Sequence, residues 1–461
     1  MIYISKLSND QINTAIKLYK IKETDIVSDE QAEEAYKLYK SLHNKPNFKK
    51  ANDEVKPLID DKLQPLSSDL FKNPARITYL TSWVIKILPF VDLLSKVGNL
   101  PLSGTSDYFI EYIKGVFKNF FEVLKDIHKK IPSDYNIIQD KDFANFVKLC
   151  DKIVLALEEY YKGYPHAAYN ELQIGIEDYL VGGRYLDNNL MLHDPTPNIF
   201  YKMRVGTNHI YSSDEMFHIP FDLRHLVSTN RYSIPGLPCV YLGSSALTCW
   251  EEMNKPDLNT VQTSLFFTDN INYLDLSIPP GAAVDDIIFF HERKGHLKSD
   301  KDMESKYKGL KSYIVMWPLI AACSIRVINP KASFKPEYII PQLLLQWTRQ
   351  SEFDGICYFS TKLSNYSMHT APFYKNFAFP VQEENKKGHC AKLRKKFTIT
   401  NAVPWQMFQL YKGSYLTTPS IKRKKLEAEI EFVEGMKLLY SATDFYKLET
   451  FLENKYEKEK L

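Results

Sequence analysis

The sequence predicts an α+β protein: a helical N-terminal domain over 1–195, a mixed α/β domain over 196–412 and a charged helical C-terminal tail over 413–461. Three observations carry this. No run in residues 1–185 alternates apolar and polar side chains as a strand does, whereas several repeat at helical spacing. Asp194-Pro195-Thr196-Pro197 punctuates the chain, and beyond 198 short strand-like runs mix with helical ones. Residues 421–461 hold nine basic and nine acidic residues at helical periodicity, which reads as a solvated helix or helical pair.

The elements follow in order. Residues 28–43 read as a helix, with Ser28 and Gln31 as a capping box and Ala32, Ala35, Tyr36 and Tyr39 as its stripe. Residues 106–129 place Phe109, Ile110, Ile113, Val116, Phe117, Phe120, Phe121, Leu124 and Ile127 at helical spacing, and 142–161 and 166–180 continue the pattern. Their aromatics read as core. Beyond the Pro-rich break, strands are expected at 198–205, 238–242, 263–268, 271–276, 325–328, 355–359 and 376–381. Helices are expected at 245–254, 311–323 and 341–351, with Pro341 in the first turn of the last.

Composition excludes more than it assigns. Apolar content of 44% and charged content of 25% describe an ordinary globular chain, and a net charge of +3 favours neither nucleic acid nor membrane. The six cysteines are scattered, with no C-x-x-C pair, which speaks against a zinc site or a disulfide scaffold and for a reducing cytoplasm. MIYISKLSND has no apolar core of a signal peptide. The apolar run 77–94 is broken by Lys86, Pro89 and Asp92 and reads as a buried or interfacial helix, not a membrane span. No metal site is expected. The basic run Lys386–Lys396 has no interleaved aromatics and reads as a solvated loop, so nucleic acid is not an expected partner.

Chemistry concentrates in the middle of the chain. Only 10 of the 59 basic residues are arginine, yet Arg204, Arg224 and Arg231 fall within 28 residues. Arginine is required where a planar fork must hold a phosphate or carboxylate. Pairing with Asp214, Glu215 or Asp222 explains the cluster equally well. In NRYSIPGLPCVYLGSSALTCWEE (230–252), a turn feeds a strand whose alternation sets Tyr241 opposite Val240 and Leu242. Ser244 or Ser245 can cap the next helix, on which Thr248, Cys249 and Glu252 share one side. From spacing alone, the simpler reading is a core tyrosine and a surface glutamate. FDGICYFST (353–361) is a turn and strand with Ser360 at its end, a place where sites collect. HERKGH (291–296) is one residue too long for H-E-x-x-H. Arg204…His209 matches the R-x4-H of HEPN-type ribonucleases, but its Val-Gly-Thr-Asn interior argues for strand and turn.

Together, FYKMRVG (200–206), the block 216–252, and FKPEYIIPQLLLQW…FDGICYFS (334–360) resemble the RES family, named for arginine, glutamate and serine. The likeness covers roughly 198–400. Asn230-Arg231-Tyr232-Ser233 stands where the family usually has G-R-W-N, which keeps the arginine and an aromatic after it. The resemblance implies an ADP-ribosyltransferase-like fold and cleavage of the nicotinamide–ribose bond of NAD+ by water or phosphate. It implies Arg204 and Arg231 at the arginine positions, and Tyr241, Glu252 and Ser360 at the tyrosine, glutamate and serine positions. Glu251 is one residue off the family spacing.

NAD+ enters as substrate, with no further cofactor. The implied role is a toxin or antiphage defence effector, restrained by an antitoxin, a regulatory protein, or residues 1–190 or the tail of the chain itself. A homo-oligomer is compatible with this reading. An ADP-ribosyltransferase acting on a macromolecule and a non-catalytic NAD+ or ADP-ribose sensor are the alternatives.

Overall fold

The structure is a computed structural model. It describes residues 87–104, 108–130, 136–187, 199–294, 300–363, 366–411, 428–433 and 435–460. The expected helix at 28–43, the Pro-rich break at 194–197 and the start of the tail lie outside these residues.

The described residues up to 187 are helical: α1 (Leu88–Lys96), α2 (Phe109–Lys130), α3 (Asp140–Tyr161) and α4 (Pro165–Ile176). In α2 the buried positions are Phe109, Ile113, Phe117, Phe120, Leu124 and Ile127, one apolar stripe at steps of three and four. The expected helix 166–180 changes hydrogen-bonding pattern, with a π-helical turn over Glu177–Val181. Pro165 opens α4 because its missing N–H costs nothing in the first turn.

The second half is a mixed α/β unit. In chain order it comprises β1 (Ile199–Val205), β2 (Cys239–Gly243), α5 (Ala246–Glu252), β3 (Val261–Phe267), β4 (Tyr273–Leu276), α6 (Pro280–Lys294) and α7 (Asp300–Cys323). It continues with α8 (Ile339–Thr348), β5 (Gly355–Phe359), β6 (Lys375–Pro380), α9 (Ala391–Arg394), β7 (Thr398–Ile399), β8 (Val403–Pro404) and α10 (Trp405–Tyr411). The eight-stranded sheet runs β4-β5-β6-β2-β1-β3-β7, with β8 also on β3. Only β4 and β5 pair in parallel. β1 meets β2 at one register pair, Tyr201↔Gly243, so the two halves of the sheet are joined narrowly.

Two expectations change. Residues 325–328 form no strand: Ile325 makes one isolated bridge, to Leu102. The tail is not wholly helical. A hairpin, β9 (Glu429–Val433) and β10 (Met436–Leu439), precedes α11 (Asp444–Lys460). Gly435, at φ +79°, turns that hairpin, a conformation a side chain resists. Nor is α11 a solvated helix, since Phe445, Leu448, Leu452, Glu449 and Glu453 are buried.

One buried apolar cluster runs from α1–α4 through α7 and α8 to one face of the sheet. Trp317 of α7 stitches it together, with its ring stacked on Phe120 at 3.8 Å and its indole N–H donating to Gly98 O at 2.9 Å. A second, phenylalanine-rich cluster covers the other face, where Phe200 meets Phe377, Phe379 and Phe397 edge to face. The basic run 386–396 closes this face, burying Cys390 and Leu393, so it is only partly solvated.

His218 sits at the border of the second cluster, 2% exposed. Its Nδ1 bonds Ile219 O at 2.7 Å and its Nε2 accepts from Cys390 N at 2.9 Å, which sets the tautomer. Burial depresses its pKa from 6.5 to about 4, with His389 beside it adding repulsion. Between pH 6.5 and about 4 the unfolded chain takes up a proton that the folded ring refuses. The stability is therefore complete above 6.5 and declines as pH falls through that window, by about 3 kcal/mol in all. In denaturant titrations, His218→Gln should be less stable than wild type at pH 7, and the gap should narrow by pH 4.5. A gap independent of pH would count against a neutral buried ring.

Candidate active site

The site is built around α5, a helix of seven residues separated from β2 by Ser244 and Ser245. Ser245 is its N-cap: Oγ accepts from Thr248 N at 3.0 Å and donates to Phe373 O at 2.7 Å. At the other end, Lys362 Nζ donates to Glu251 O at 2.5 Å, Glu252 O at 3.0 Å and Asn254 Oδ1 at 3.0 Å. An ammonium there satisfies orphan carbonyls and complements the negative end of the helix dipole.

Glu252 is the last helical residue, and its side chain is 35% exposed. Asn376 of β6 donates Nδ2–H to its Oε1 at 2.9 Å, and Lys362 Nζ stands 3.8 Å from Oε2. Glu251 differs in kind. Its side chain is 8% exposed, it pairs with Lys255 at 3.5 Å, and burial raises its pKa. Of the two neighbouring carboxylates, only that of Glu252 is substantially open to a ligand.

Three tyrosines feel the charge of this carboxylate. Glu252 raises the pKa of Tyr338, Tyr358 and Tyr366 electrostatically, on top of a larger effect of burial. Their hydroxyls are thus held protonated, as donors. Tyr358 packs on the fully buried Tyr232 at 4.3 Å between ring centres. Tyr241 shares this face of the sheet and donates to Tyr232 O at 2.7 Å.

Arg231 acts on two of these tyrosines with the opposite sign, opposing the rise at Tyr338 and Tyr358. Its guanidinium lies over the Tyr338 ring, 5.3 Å from the centre. It donates to Cys323 O at 3.2 Å and Ile325 O at 2.7 Å, just where α7 ends, and to Thr361 Oγ1 at 3.4 Å. Of the five donors of a guanidinium, these three bonds leave two for a ligand. Ser360 is 2% exposed at the end of β5, its Oγ accepting from Lys362 N at 3.3 Å, while Tyr366 donates to its carbonyl.

The structure thus brings Arg231, in the turn before β2, and Glu252, at the end of α5, to shared tyrosines, with Ser360 just after β5 and Tyr241 in the middle of β2 on the same face of the sheet. Arg204 is set apart. Strand alternation puts it with Phe200 and Lys202 on the face of the second cluster. It donates to Glu215 O at 2.7 Å and covers the Tyr211 ring at 4.2 Å. Arg224 pairs with Glu384 at 3.5 Å, so it does not use the nearby acids. Arg204 lies on a strand and His209 in the loop beyond, where His209 bonds Glu215 at 2.7 Å, so the R-x4-H pattern is not on a helix.

Five residues of the site escape the sequence reading: Asn376, Lys362, Tyr338, Tyr358 and Tyr366. Asn376 carried a usable signal, as an amide within the otherwise apolar strand run NFAF. Lys362 carried none, because only the fold brings it to the end of α5. Among the described residues, no group of three or more His, Cys, Asp or Glu is placed to hold a metal ion. Among them too, no helix is long and apolar enough to cross a membrane.

Fold and site define a mixed α/β protein in which a reachable carboxylate at the end of α5 and an arginine act on shared tyrosines. The chain belongs to the family of a Bacillus subtilis (strain 168) protein named "Putative toxin YopC", to which it is 34% identical over 441 residues, 92% of this chain and 93% of that relative. No protein-family model matches the chain, and no solved structure gives a significant match.

Lys362→Met removes the donor to three oxygens at the end of α5. The expected loss is about 1–3 kcal/mol of stability, read as a lower unfolding temperature together with faster amide exchange in α5. Unchanged exchange would show that the ammonium does not hold the helix end.

Proposed function

We propose that the protein is a toxin that cleaves the nicotinamide–ribose bond of NAD+, with water or phosphate as acceptor. The observation that carries the reading is the setting of Glu252: a reachable carboxylate, fixed by Asn376 and flanked by protonated tyrosines and Arg231. The name of the related Bacillus protein supports the toxin role. The RES resemblance supports NAD+ as substrate and an ADP-ribosyltransferase-like fold for the mixed α/β region.

The chemistry matches the residues. Nicotinamide leaves as a neutral ring from a cationic one, so no general acid is needed. The ribose left behind carries oxocarbenium character, as in glycoside cleavage. A fixed carboxylate stabilises that charge without reorganising at the moment of reaction. Tyrosine rings offer faces for the pyridinium and hydroxyls for the carboxamide. Arg231, with two donors left, takes one phosphate of the diphosphate. Ser360 Oγ is a candidate contact for the carboxamide or ribose. Arg204 stands on the other face of the sheet, so the geometry gives it no part at the bond that breaks. A toxin of this kind needs restraint in the cell that makes it, and an antitoxin or a regulatory protein is the partner this reading requires.

The test is incubation of the purified chain with NAD+, with and without phosphate, followed by product identification. Free nicotinamide is expected, with ADP-ribose or its 1″-phosphate as co-product. Glu252→Gln should reduce the rate about 10²- to 10³-fold, with Glu251→Gln affecting it less. Intact NAD+ in both buffers would overturn the proposal, and label left on a macromolecule would redirect it to ADP-ribosyl transfer.

A further inference from the structure

Helix α11 carries two carboxylates where its sequence suggests a solvated face. Glu449 is 1% exposed and Glu453 is 0% exposed. Burying a carboxylate is costly unless it is well bonded. Glu449 Oε1 accepts from Ala246 N at 2.7 Å and from the Tyr440 hydroxyl at 2.6 Å. One turn later, Glu453 Oε1 accepts from the Tyr201 hydroxyl at 2.6 Å.

Ala246 is the first residue of α5. Its N–H is one of the donors that a helix start leaves without an internal partner, and a negative charge there is favoured by the helix dipole. Phe445 of α11 packs on Trp250 of α5, at 5.5 Å between ring centres. Glu453, through Tyr201, ties α11 to the one residue at which β1 meets β2. The distal helix is thus bonded to the start of the helix whose last residue is Glu252.

We propose that Glu449 is a positioning residue. Its carboxylate sets where α5 begins along its axis, and so where the Glu252 carboxylate stands against Asn376 and the tyrosines. The proposal rests on the NAD+-cleavage reading only for its kinetic readout. Ser245 still caps α5 without Glu449, so its removal displaces the helix and does not unfold it. The consequence has a sign: α11 acts in favour of activity. That is opposite to the restraint expected of the tail.

The experiment compares full-length Glu449→Leu, Glu449→Gln and, as a control on the outer face of α11, Lys447→Ala. Leucine removes the oxygen that accepts from Ala246 N and the Tyr440 hydroxyl, whereas glutamine keeps an oxygen that both can use. Two measurements are made on each: kcat and KM for NAD+ cleavage, and amide hydrogen exchange of residues 246–253 against that of α3. Glu449→Leu should lose about 10²-fold in kcat, the scale of a misplacement near 1 Å, with KM little changed and exchange faster in α5 but not in α3. Glu449→Gln should recover kcat to within about tenfold of wild type, and Lys447→Ala should match it.

Unchanged exchange in α5, unchanged kcat, or higher activity in Glu449→Leu would overturn the proposal. If Glu449→Leu does not fold, Glu449→Asp replaces it with the same expectation, since it keeps the charge but withdraws it by about one C–C bond, ~1.5 Å. If the wild-type chain leaves NAD+ intact, the functional reading fails, and exchange in α5 alone decides the positional role of Glu449.

Discussion

The rest of the site depends on how a seven-residue helix is held at both ends. Isolated helices of two turns are not stable in water. The α5 helix exists because its environment meets its unpaired backbone groups with opposite charges: the Glu449 carboxylate at the first N–H and the Lys362 ammonium at the last carbonyls. Both charges match the dipole of the helix. They come from segments far apart in sequence, so the helix is a product of the assembled fold. With both ends fixed, the direction in which Glu252 points is fixed too.

The sheet supplies the second constraint. Its two faces are buried in different ways, one against the helices and the other under a phenylalanine cluster closed by the 386–396 segment. Strand alternation therefore sorts side chains into two chemical compartments. Tyr241, Tyr358 and Asn376 fall on the helix side with Glu252, whereas Lys202 and Arg204 fall on the phenylalanine side. A single register pair between β1 and β2 joins the two halves of the sheet, and Tyr201 at that pair also bonds α11. The C-terminal helix thus braces the sheet at its narrowest junction.

Much of the fold was legible in the sequence where the pattern was local. The stripes of α2 and α3, and strands β1, β2, β5 and β6, appear within two or three residues of where periodicity puts them. Ser245 is the cap that its place before a helical run suggests. The failures share a cause. The run 325–328 has strand-like residues but no partner strand, and pairing is a tertiary property. The tail has the charge of a solvated helix, yet its acids at 449 and 453 face the core, because donors from distant segments wait there.

For the site, the sequence by itself determined the chemical inventory and its order: an arginine in a turn, a tyrosine on a strand, a glutamate on the following helix and a serine at a later strand end. Their places on turn, strand and helix rest on local periodicities of two and 3.6 residues, whereas their choice as site residues, Glu252 over Glu251 included, rests on the RES resemblance. Only the tertiary structure decided which of two adjacent glutamates is reachable and which of three arginines acts on the same tyrosines. It also supplied Lys362, Asn376, Tyr338 and Tyr366 to the same place. Those outcomes depend on burial, sheet face and contacts between residues up to 130 positions apart, quantities that spacing along a chain does not encode.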